Sequence, residues 1–474
     1  MAMRDVHFFV KIAQQLRQSP GDTEVRFISF YQAGNAEIRR NGFHCYDAYA
    51  YRDRAAMPET RQAAEYERAY GMANLHRLVL HEKVTSADFD DAALERKFMA
   101  CLEASDAIVR ELLSGVGAGD VTVVQELGGF LGPLSVFFAC RRHQVDHVFL
   151  EPSFFRKRLH YVRNSLMAVD CARTEPASAA PVDAAWLRRY LDDLRSARKP
   201  VIPDKDVHHF RDMGLGKIVN RDNLAKLWRK LVNKYIHRYR HEFDFIWRYS
   251  LRHGRMYLNR RLNALLYSNF DTAARSARYA YFPFHVQLDY ALTIRCPEYL
   301  NQLALVDYLC SILPTGVELY IKEHPASIGG FGYGELRRLV RRHGNLRLIH
   351  PSVNSYDLAE NAGLVVTINS KAGAEALVMG KPVIVLGDAF YTHSGLAAYV
   401  ANPRDLEKAV REQLSDKPVV PAPQQTLEFF HRVWRHTYAG ELYNLDDANV
   451  ATFTTDLCRY LQERTVKSSE TVEA

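Results

Sequence analysis

Short apolar runs rich in β-branched and aromatic residues alternate with stretches of helical periodicity in two parts of the chain. In the first part the predicted strands lie at residues 6–10, 25–30, 121–124 and 147–150. A predicted helix at residues 11–18 joins the first two strands, so the chain should begin with a β-α-β unit. A helical region follows at about residues 60–113. This alternation is typical of α/β domains with parallel sheets.

The second part alternates more regularly. Its predicted strands lie at residues 279–284, 317–321, 346–349, 364–368 and 382–386, and its predicted helices at 300–313, 334–343, 372–379 and 403–414. We therefore predict two Rossmann-like domains. The first covers residues 1–277 and includes a basic helical insertion at about 183–277. The second covers residues 278–474, and its C-terminal helices cross back to the first.

Composition agrees with a globular protein of two domains, since 47% of the 474 residues are hydrophobic and 25% are charged. No apolar run approaches the roughly 20 residues that span a bilayer, and the first residues do not resemble a secretion signal. The seven cysteines are scattered singly without a CxxC pair, which argues against a disulfide framework and a cysteine zinc site. We expect a cytoplasmic protein.

The net charge of +7 is unevenly distributed along the chain. Residues 226–261 contain eleven Lys or Arg but only two acids, Glu242 and Asp244, and aromatic residues are interleaved among them. The helical spacing is compatible with a solvated basic face. It is equally compatible with a surface that contacts anionic lipid headgroups or a polyanionic glycan. Nucleic acid would require similar charges, but no nucleic-acid-binding motif accompanies them.

Two runs of the second part stop abruptly on polar residues. In LYIKEHP the apolar run stops at Lys322, Glu323 and His324. In VVTINSKAGAEAL the apolar run stops at Asn369 and Ser370, just before a predicted helix begins. Ligands of open parallel sheets lie outside the carboxyl ends of strands, where helix N-termini attract anions. The pair predicts a phosphate or nucleotide pocket, although a helix cap and a loop histidine would give the same residues.

Four segments together resemble the capsule polysaccharide synthesis family, including the retaining β-Kdo transferases of bacterial capsules and lipopolysaccharide O-antigens. They are VTVVQELGGFLG from Val121, VFLEPSFFRKRLHYVRN from Val148, YFPFHVQLD from Tyr281, and the two strand ends just described. The chain departs from the family in reading Pro-Phe-His-Val-Gln instead of Pro-Leu-Gln, and Ser-Lys instead of two serines.

The resemblance implies the GT-B architecture, in which two Rossmann-like domains with parallel sheets face each other across a cleft. It also implies that the second domain binds CMP-β-Kdo and the first binds a surface polysaccharide or its lipid-linked precursor. Neither a metal nor another cofactor is required, because no Asp-x-Asp ends a predicted strand. The enzyme would lie on the inner face of the bacterial inner membrane, in peripheral contact with anionic lipid.

The resemblance also implies roles for particular residues. Asp289 is the expected nucleophile, Glu151 the acid/base, and His324 a donor to the leaving phosphate. The predicted nucleotide-sugar residues are Gln287, Lys322, His324, Pro325, Asn369, Ser370, Lys371 and Glu375. The residues predicted to bind the sugar carboxylate or the acceptor are Arg156, Arg158 and Arg163.

Several alternatives remain at this point. Asp289 could cap the following helix, Glu151 could be a turn residue, and Glu375 could be exposed. Gly128, Gly129 and Gly132 do not match a dinucleotide fingerprint and favour a tight turn. The enzyme could instead use another CMP-activated sugar acid, such as sialic acid, with inversion. The chain could also be a non-catalytic adaptor for capsule assembly or export.

Overall fold

The protein forms two compact units in this computed structural model, which describes residues 3–19, 23–55, 58–175, 183–198, 221–243, 245–268, 270, 278–415, 418 and 420–472. The first unit comprises Met1–Ser165, Ile202–Tyr249 and Tyr438–Ala474, and the second Leu166–Val201 and Ser250–Thr437. The division thus differs from a single boundary after residue 277. Residues 199–220 and 271–277 of the predicted insertion lie outside the described residues.

The regular elements are numbered in chain order. The strands are β1 (Arg26–Ser29), β2 (His44–Asp47), β3 (Thr122–Glu126), β4 (Asp146–Pro152), β5 (Arg158–Arg163), β6 (Tyr279–Pro283), β7 (Glu318–Lys322), β8 (Leu346–Ile349), β9 (Leu364–Thr367), β10 (Val383–Val385), β11 (Ala398–Tyr399) and β12 (Tyr438–Ala439). The helices are α1 (Met3–Gln18), α2 (Gln32–Arg40), α3 (Ala48–Arg54), α4 (Ala63–Tyr70), α5 (Leu75–Leu78), α6 (Leu80–Ser86), α7 (Asp91–Leu112), α8 (Leu131–Arg142), α9 (Ala184–Ala197), α10 (Arg221–Leu231), α11 (Ile246–Asn263), α12 (Tyr290–Thr293), α13 (Gln302–Ile312), α14 (Tyr333–Arg342), α15 (Ser355–Asn361), α16 (Lys371–Val378), α17 (Leu406–Gln413), α18 (Pro423–Arg435) and α19 (Asp447–Val472).

The first unit contains two sheets. Strands β1 and β2 pair in parallel, and a four-stranded sheet has the order β12-β5-β4-β3. Within the larger sheet β3 and β4 are parallel, whereas β5 is antiparallel to both of its neighbours. The final helix α19 belongs to this unit and contacts α1, where the rings of Phe8 and Phe453 meet edge to face at 5.3 Å.

The second unit is built on one six-stranded parallel sheet. Its order is β11-β10-β9-β6-β7-β8, which is the doubly wound order of dinucleotide-binding folds. Strands β6 and β9 are buried along their whole length, because helices cover both faces of the sheet. Strands β7 and β8 follow β6 on one side of the sheet, whereas β9, β10 and β11 lie on its other side, so the order switches between β6 and β9. Ligands of doubly wound sheets bind at this switch point.

The α/β class with parallel sheets is confirmed, and each of the five strands predicted after residue 278 is present within two residues of its expected bounds. The predicted strand at residues 6–10 is wrong, because those residues belong to α1. Phe8, Ile12 and Leu16 are buried at intervals of four residues, which is the spacing of one helical face. An apolar run of five residues is too short to reveal that period.

Candidate functional site

The carboxyl ends of β6, β7 and β9 meet at one edge of the second unit's sheet. Pro283 at the end of β6 pairs with Lys322 at the end of β7, and Thr367 ends the neighbouring strand β9. The loops that carry most of the predicted site residues therefore start side by side. This edge, at the switch point, is the candidate functional site.

Helix α16 begins directly after β9 and has a fixed N-terminus. Ser370 caps the helix, since its Oγ accepts a hydrogen bond from the N–H of Ala372 at 3.1 Å. The hydroxyl of Tyr391 donates to the carbonyl of Ser370 at 2.6 Å, and the N–H of Ser370 donates to Oγ1 of Thr367 at 3.2 Å. The alternative of a capping residue is thus correct for Ser370. The positive end of the helix dipole at this N-terminus also favours an anion.

Asn369 fastens β9 to the segment that carries Asp289. Its side-chain amide donates to the carbonyl of Ala291 at 2.7 Å and to Sγ of Cys296 at 3.3 Å. Both N–H groups of the amide are therefore directed to protein acceptors. These two donors brace the site, and a contact of Asn369 with the nucleotide stays a prediction.

Asp289 is the N-cap of the short helix α12. Its Oδ1 accepts a hydrogen bond from the N–H of Ala291 at 2.9 Å, and the residue is exposed. Strand β6 ends at Pro283, so Gln287 and Asp289 lie after the strand and not within it. Asp289 is thus a helix cap, and its role as a nucleophile stays a prediction.

His285 is a site residue that the sequence reasoning did not select, although it marks the departure from the Pro-Leu-Gln pattern. Its Nε2 accepts a hydrogen bond from the N–H of Asn369 at 3.2 Å. Its backbone exchanges two hydrogen bonds with the side chain of Gln302, at 2.8 and 3.1 Å. Burial and the neighbouring His324 lower the pKa of His285 to about 3. The ring is therefore a neutral link between β6 and β9.

His324 follows β7 and caps the short 3-10 helix Pro325–Ser327. Its Nδ1 accepts a hydrogen bond from the N–H of Ala326 at 3.1 Å, which places the proton of the neutral ring on Nε2. Burial and the charge of Lys322 lower the pKa of His324 to about 4. At neutral pH the side chain is therefore uncharged with its N–H on Nε2, and its role in phosphate binding stays a prediction.

Lys322 and Glu375 lie beneath the strand ends. Lys322 is buried, and its ammonium donates to the carbonyl of Val353 at 2.6 Å. Burial lowers its pKa to about 8, although the charges of Asp357 and Glu375 act in the opposite direction. Glu375 is only 9% exposed, so the alternative of a solvated residue is wrong. Lys371 begins α16 at the same edge.

The first unit places the other predicted residues on and beside β4. Glu151 is partly buried, lies next to last in the strand and pairs with His160 of β5, so it is not a turn residue. Arg156 is exposed in the turn that follows. Arg158 begins β5 at the same end, and burial lowers its pKa to about 10.

Arg163 does not lie with this group. It ends β5 beside the start of β4, and its guanidinium donates to both carboxylate oxygens of Asp146 at 3.0 Å. Glu151 pairs with His160, and Arg163 lies three residues further along β5, a distance of about 10 Å along the strand. The prediction that Arg163 binds a sugar carboxylate beside Glu151 does not fit this position.

The glycine turn before α8 is filled by the chain itself. A Cβ at Gly129 would lie 2.4 Å from the ring of His81, so the turn requires glycine for close packing. The N–H of Leu131 donates to Glu82 at 3.2 Å, and the N–H of Gly132 donates to Glu242 at 3.4 Å. Two carboxylates thus occupy this helix N-terminus, as expected for a tight turn rather than a phosphate loop.

A buried ionic cluster, which the sequence did not predict, holds Glu82 and Glu242. The ammonium of Lys97 lies 2.6 Å from Glu82 and 3.3 Å from Glu242, and the hydroxyl of Tyr49 donates to Glu242 at 2.7 Å. Burial raises the pKa of Glu82. For Glu242 the same effect is outweighed by Lys97 and the hydrogen bonds, so its pKa is lowered. The cluster anchors the basic segment to the first unit.

In the first unit, helix α10, the π-helix Val232–Ile236 and the first residues of α11 carry exposed cations and exposed large apolar side chains. We call these residues the basic aromatic surface. Its exposed apolar residues are Leu224, Trp228, Tyr235, Ile236, Tyr239, Trp247 and Tyr249. Its exposed cations include Lys226, Arg229 and Lys230. Clusters of exposed large apolar side chains mark interaction sites more often than single exposed residues do.

Three general features complete the site description. All seven cysteines are free thiols, and six of them are buried. Within the described ranges no three His, Cys, Asp or Glu side chains are grouped as a metal site. None of the helices described is both long enough and apolar enough to cross a bilayer.

Comparison with known sequences identifies a family. The profile of the family described as "Capsule polysaccharide biosynthesis protein" matches residues 136–418, which is more than half of the chain. Protein FixF of Sinorhizobium fredii is 33% identical over 121 residues, covering 24% of this chain and 27% of FixF. The capsule polysaccharide modification protein LipA of Neisseria meningitidis is 31% identical over 80 residues, covering 17% of this chain and 11% of LipA. The chain thus spans only a small part of these relatives.

Comparison with solved structures gives distant likenesses. KpsC of Thermosulfurimonas dismutans, a β-Kdo 2,7 transferase, has a TM-score of 0.35 at 18% identity, covering 75% of this chain and 88% of that chain. A putative UDP-N-acetylglucosamine 2-epimerase of Listeria monocytogenes has a TM-score of 0.26 at 11% identity, covering 95% of this chain and 91% of that chain.

Proposed function

The chain belongs to the capsule polysaccharide biosynthesis family, and we propose that it is a glycosyltransferase of that pathway. In this proposal it transfers Kdo from CMP-β-Kdo to a bacterial surface polysaccharide or its lipid-linked precursor, with retention. One observation carries the proposal: the neutral donor His324 and the capped N-terminus of α16 lie at the switch point of a doubly wound sheet. The donor sugar rests on the sequence resemblance.

The proposed donor site binds the CMP phosphate at the start of α16. The positive end of the α16 dipole and the side chain of Lys371 supply positive potential there. His324 donates from Nε2 to a phosphate oxygen as negative charge develops on the leaving group. Lys322 and Asn369 act beneath this layer, because their donors already serve protein acceptors.

The proposed chemistry is a double displacement. A carboxylate oxygen of Asp289 attacks the anomeric carbon of Kdo while the bond from that carbon to the CMP phosphate breaks, and its electrons leave with CMP. The acceptor hydroxyl oxygen then attacks the same carbon, Glu151 takes the hydroxyl proton, and the bond to Asp289 breaks. Two inversions give net retention. Arg156 and Arg158 remain the candidates for the Kdo carboxylate or the acceptor.

The proposed location is the inner face of the bacterial inner membrane, where lipid-linked acceptors would be presented. The basic aromatic surface supports this part of the proposal, because interfacial helices combine Lys and Arg with exposed Trp and Leu. The cations would meet anionic headgroups and the apolar side chains would enter the interface. That no metal is required remains a prediction.

A donor panel tests the proposed function. Purified protein is incubated with CMP-Kdo or CMP-sialic acid and with capsule and lipopolysaccharide acceptors, and CMP release and glycan products are measured. The proposal predicts transfer from CMP-Kdo, with the anomeric configuration retained in the product as read by NMR. Transfer from CMP-sialic acid alone would indicate the inverting alternative. The absence of both CMP binding and transfer would favour the non-catalytic adaptor.

A further inference from the structure

Short-range hydrogen bonds connect the residues of the loop that carries His324. We call residues 323–331 the His324 loop. The N–H of Ser327 donates to the carbonyl of His324 at 2.8 Å, and the N–H of Gly330 donates to the carbonyl of Ser327 at 2.9 Å. With the bond from Ala326 to Nδ1 of His324, these contacts connect His324 to the far end of the loop. A displacement of Gly329 would therefore also change the position of His324.

Gly329 is in direct contact with helix α11. Its φ of +79° lies in the left-handed region, and a Cβ there would lie 2.1 Å from the carbonyl oxygen of Met256 and 2.8 Å from the N of Arg260. The backbone of the loop thus packs directly on the backbone of the helix. Only glycine permits this approach.

Both peptide groups of Gly329 are held by side chains. The amide of Asn259 in α11 donates to its carbonyl at 3.2 Å. The N–H of Gly329 donates to Oε1 of Glu323 at 2.9 Å, and Oε2 of Glu323 accepts from the hydroxyl of Tyr267 at 2.6 Å. Glu323 is fully buried. The residue that precedes His324 and an amide of α11, 70 residues before Gly329 in the chain, therefore bond to the same glycine.

A second amide on the same face of α11 extends the contact. Asn263 is fully buried, and its side chain donates to the carbonyl of Phe331 at 3.2 Å. Asn259 and Asn263 are four residues apart, so they lie on one face of the helix, one turn apart. The helix carries one donor for each of two carbonyls at the end of the loop.

We propose that Asn259 and Glu323 are positioning residues, which hold the His324 loop so that Nε2 of His324 meets the phosphate of a CMP-activated donor. Neither residue touches the donor in this proposal. They act through Gly329 and the hydrogen bonds that lead back to His324. The inference rests on the proposed function, because it requires that His324 binds the nucleotide phosphate.

A double-mutant cycle on the full chain tests the proposal, with CMP as the probe and isothermal titration calorimetry as the readout. Asn259→Ala should raise the dissociation constant of CMP about fivefold, in the range of one lost hydrogen bond. His324→Ala should raise it as well. In the His324→Ala background Asn259→Ala should have no further effect, because its influence passes through His324.

A glycine pair separates positioning from loss of fold. Gly329→Ala and Gly316→Ala both impose a left-handed φ on alanine, at +79° and +82°, but a Cβ at Gly316 meets nothing within 4 Å. Gly329→Ala should weaken CMP binding more than tenfold, whereas Gly316→Ala should leave it unchanged at a similar melting temperature.

Four results would contradict the inference. If Asn259→Ala binds CMP as tightly as the wild type, or if its effect persists in full without His324, the positioning role fails and the proposed function stands. Equal CMP binding by the two glycine variants would have the same meaning. If the wild type does not bind CMP at all, both the positioning role and the proposed function fail.

Discussion

Asn369 donates its side-chain amide to the carbonyl of Ala291 at 2.7 Å and thereby joins the end of β9 to the helix that Asp289 caps. The two segments are 78 residues apart in sequence. One amide thus fixes the distance between the helix start proposed to bind phosphate and the carboxylate proposed to attack the sugar. The two neighbouring residues thus have different roles, since Ser370 caps α16 and Asn369 braces the site.

Asn369→Ala should therefore lower both stability and transfer. The variant removes the donors to Ala291 and Cys296, so the free energy of unfolding should fall by about 1–3 kcal/mol, and kcat should fall because Asp289 is less well held. Urea denaturation and transfer assays measure the two effects. Asn361→Ala is the matched control, since that amide donates to a backbone carbonyl on the exposed side of α15 and should change stability by no more than about 0.5 kcal/mol. An Asn369→Ala enzyme with wild-type stability and rate would show that the brace is unimportant.

The buried histidines predict how stability depends on pH. The pKa of His324 is lowered to about 4 and that of His285 to about 3, both chiefly by burial. Between about pH 4 and the ordinary histidine pKa of about 6.5, the unfolded chain binds protons at these residues and the folded chain does not. The free energy of unfolding should therefore rise with pH through this window and level off above it.

Urea denaturation of wild type, His285→Gln and His324→Gln at pH 5 and pH 7 measures this dependence. Each variant should show a smaller rise between the two pH values than the wild type, by no more than about 1.4 kcal/mol per pH unit for each histidine removed. A variant whose rise equals that of the wild type would mean that the histidine it replaces titrates alike in the folded and unfolded chain.

Substitutions of Arg158 and Arg163 should differ in their effect on KM. Arg158→Gln should raise KM for CMP-Kdo or for the acceptor, because Arg158 lies at the end of the sheet that carries Glu151. Arg163→Gln is the matched control: its partner is Asp146 at the opposite end, and breaking an exposed pair should cost no more than about 1 kcal/mol of stability. Steady-state kinetics with both variants checks the assignment. Equal effects of the two on KM would contradict it.

The basic aromatic surface should bind anionic vesicles by charge and by apolar insertion together. Charge reversal at Arg229, Lys230 and Lys234 should weaken binding in a cosedimentation assay, and 1 M salt should weaken the wild type, since the Debye length falls to about 3 Å. Trp228→Ser with Trp247→Ser should remove most of the binding that survives high salt.

Val116→Ser is the matched control for this surface. Val116 is 49% exposed in the first unit and follows α7, outside the basic aromatic surface, so its replacement should leave vesicle binding unchanged. Equal binding of the wild type to neutral and anionic vesicles would reject a role of the cations at a membrane.

The sequence was most informative where local pattern decides structure. The strands of the second unit are continuous apolar runs because both faces of a parallel sheet are covered, and they stop where polar residues begin. The caps Ser370 and Asp289 follow from residue type and position. The start of the chain was misread because VHFFV is too short to distinguish a strand from the apolar face of α1.

Long-range partners could not be predicted. The hydrogen bonds of Asn369 with Ala291, of Asn259 with Gly329 and of Lys97 with Glu242 join residues that are 78, 70 and 145 positions apart in sequence. No local signal encodes such pairs, because they arise only when the sheet and its helices pack. Strand β5 was missed for a related reason. Its burial does not alternate, because residues 159–162 are all buried, and it forms a strand only by pairing with β4 and β12.

Intact-protein mass spectrometry after mixing with CMP-Kdo tests the proposed double displacement most directly. Glu151→Gln should accumulate a Kdo-sized adduct, because proton removal from the acceptor is impaired while attack by Asp289 is not, and peptide mapping should place the adduct on Asp289. Asp289→Asn should form no adduct and should lose nearly all transfer, with the fold retained because the amide can still cap α12. A fully active Asp289→Asn enzyme, or an adduct on another residue, would contradict the mechanism and leave Asp289 as a helix cap alone.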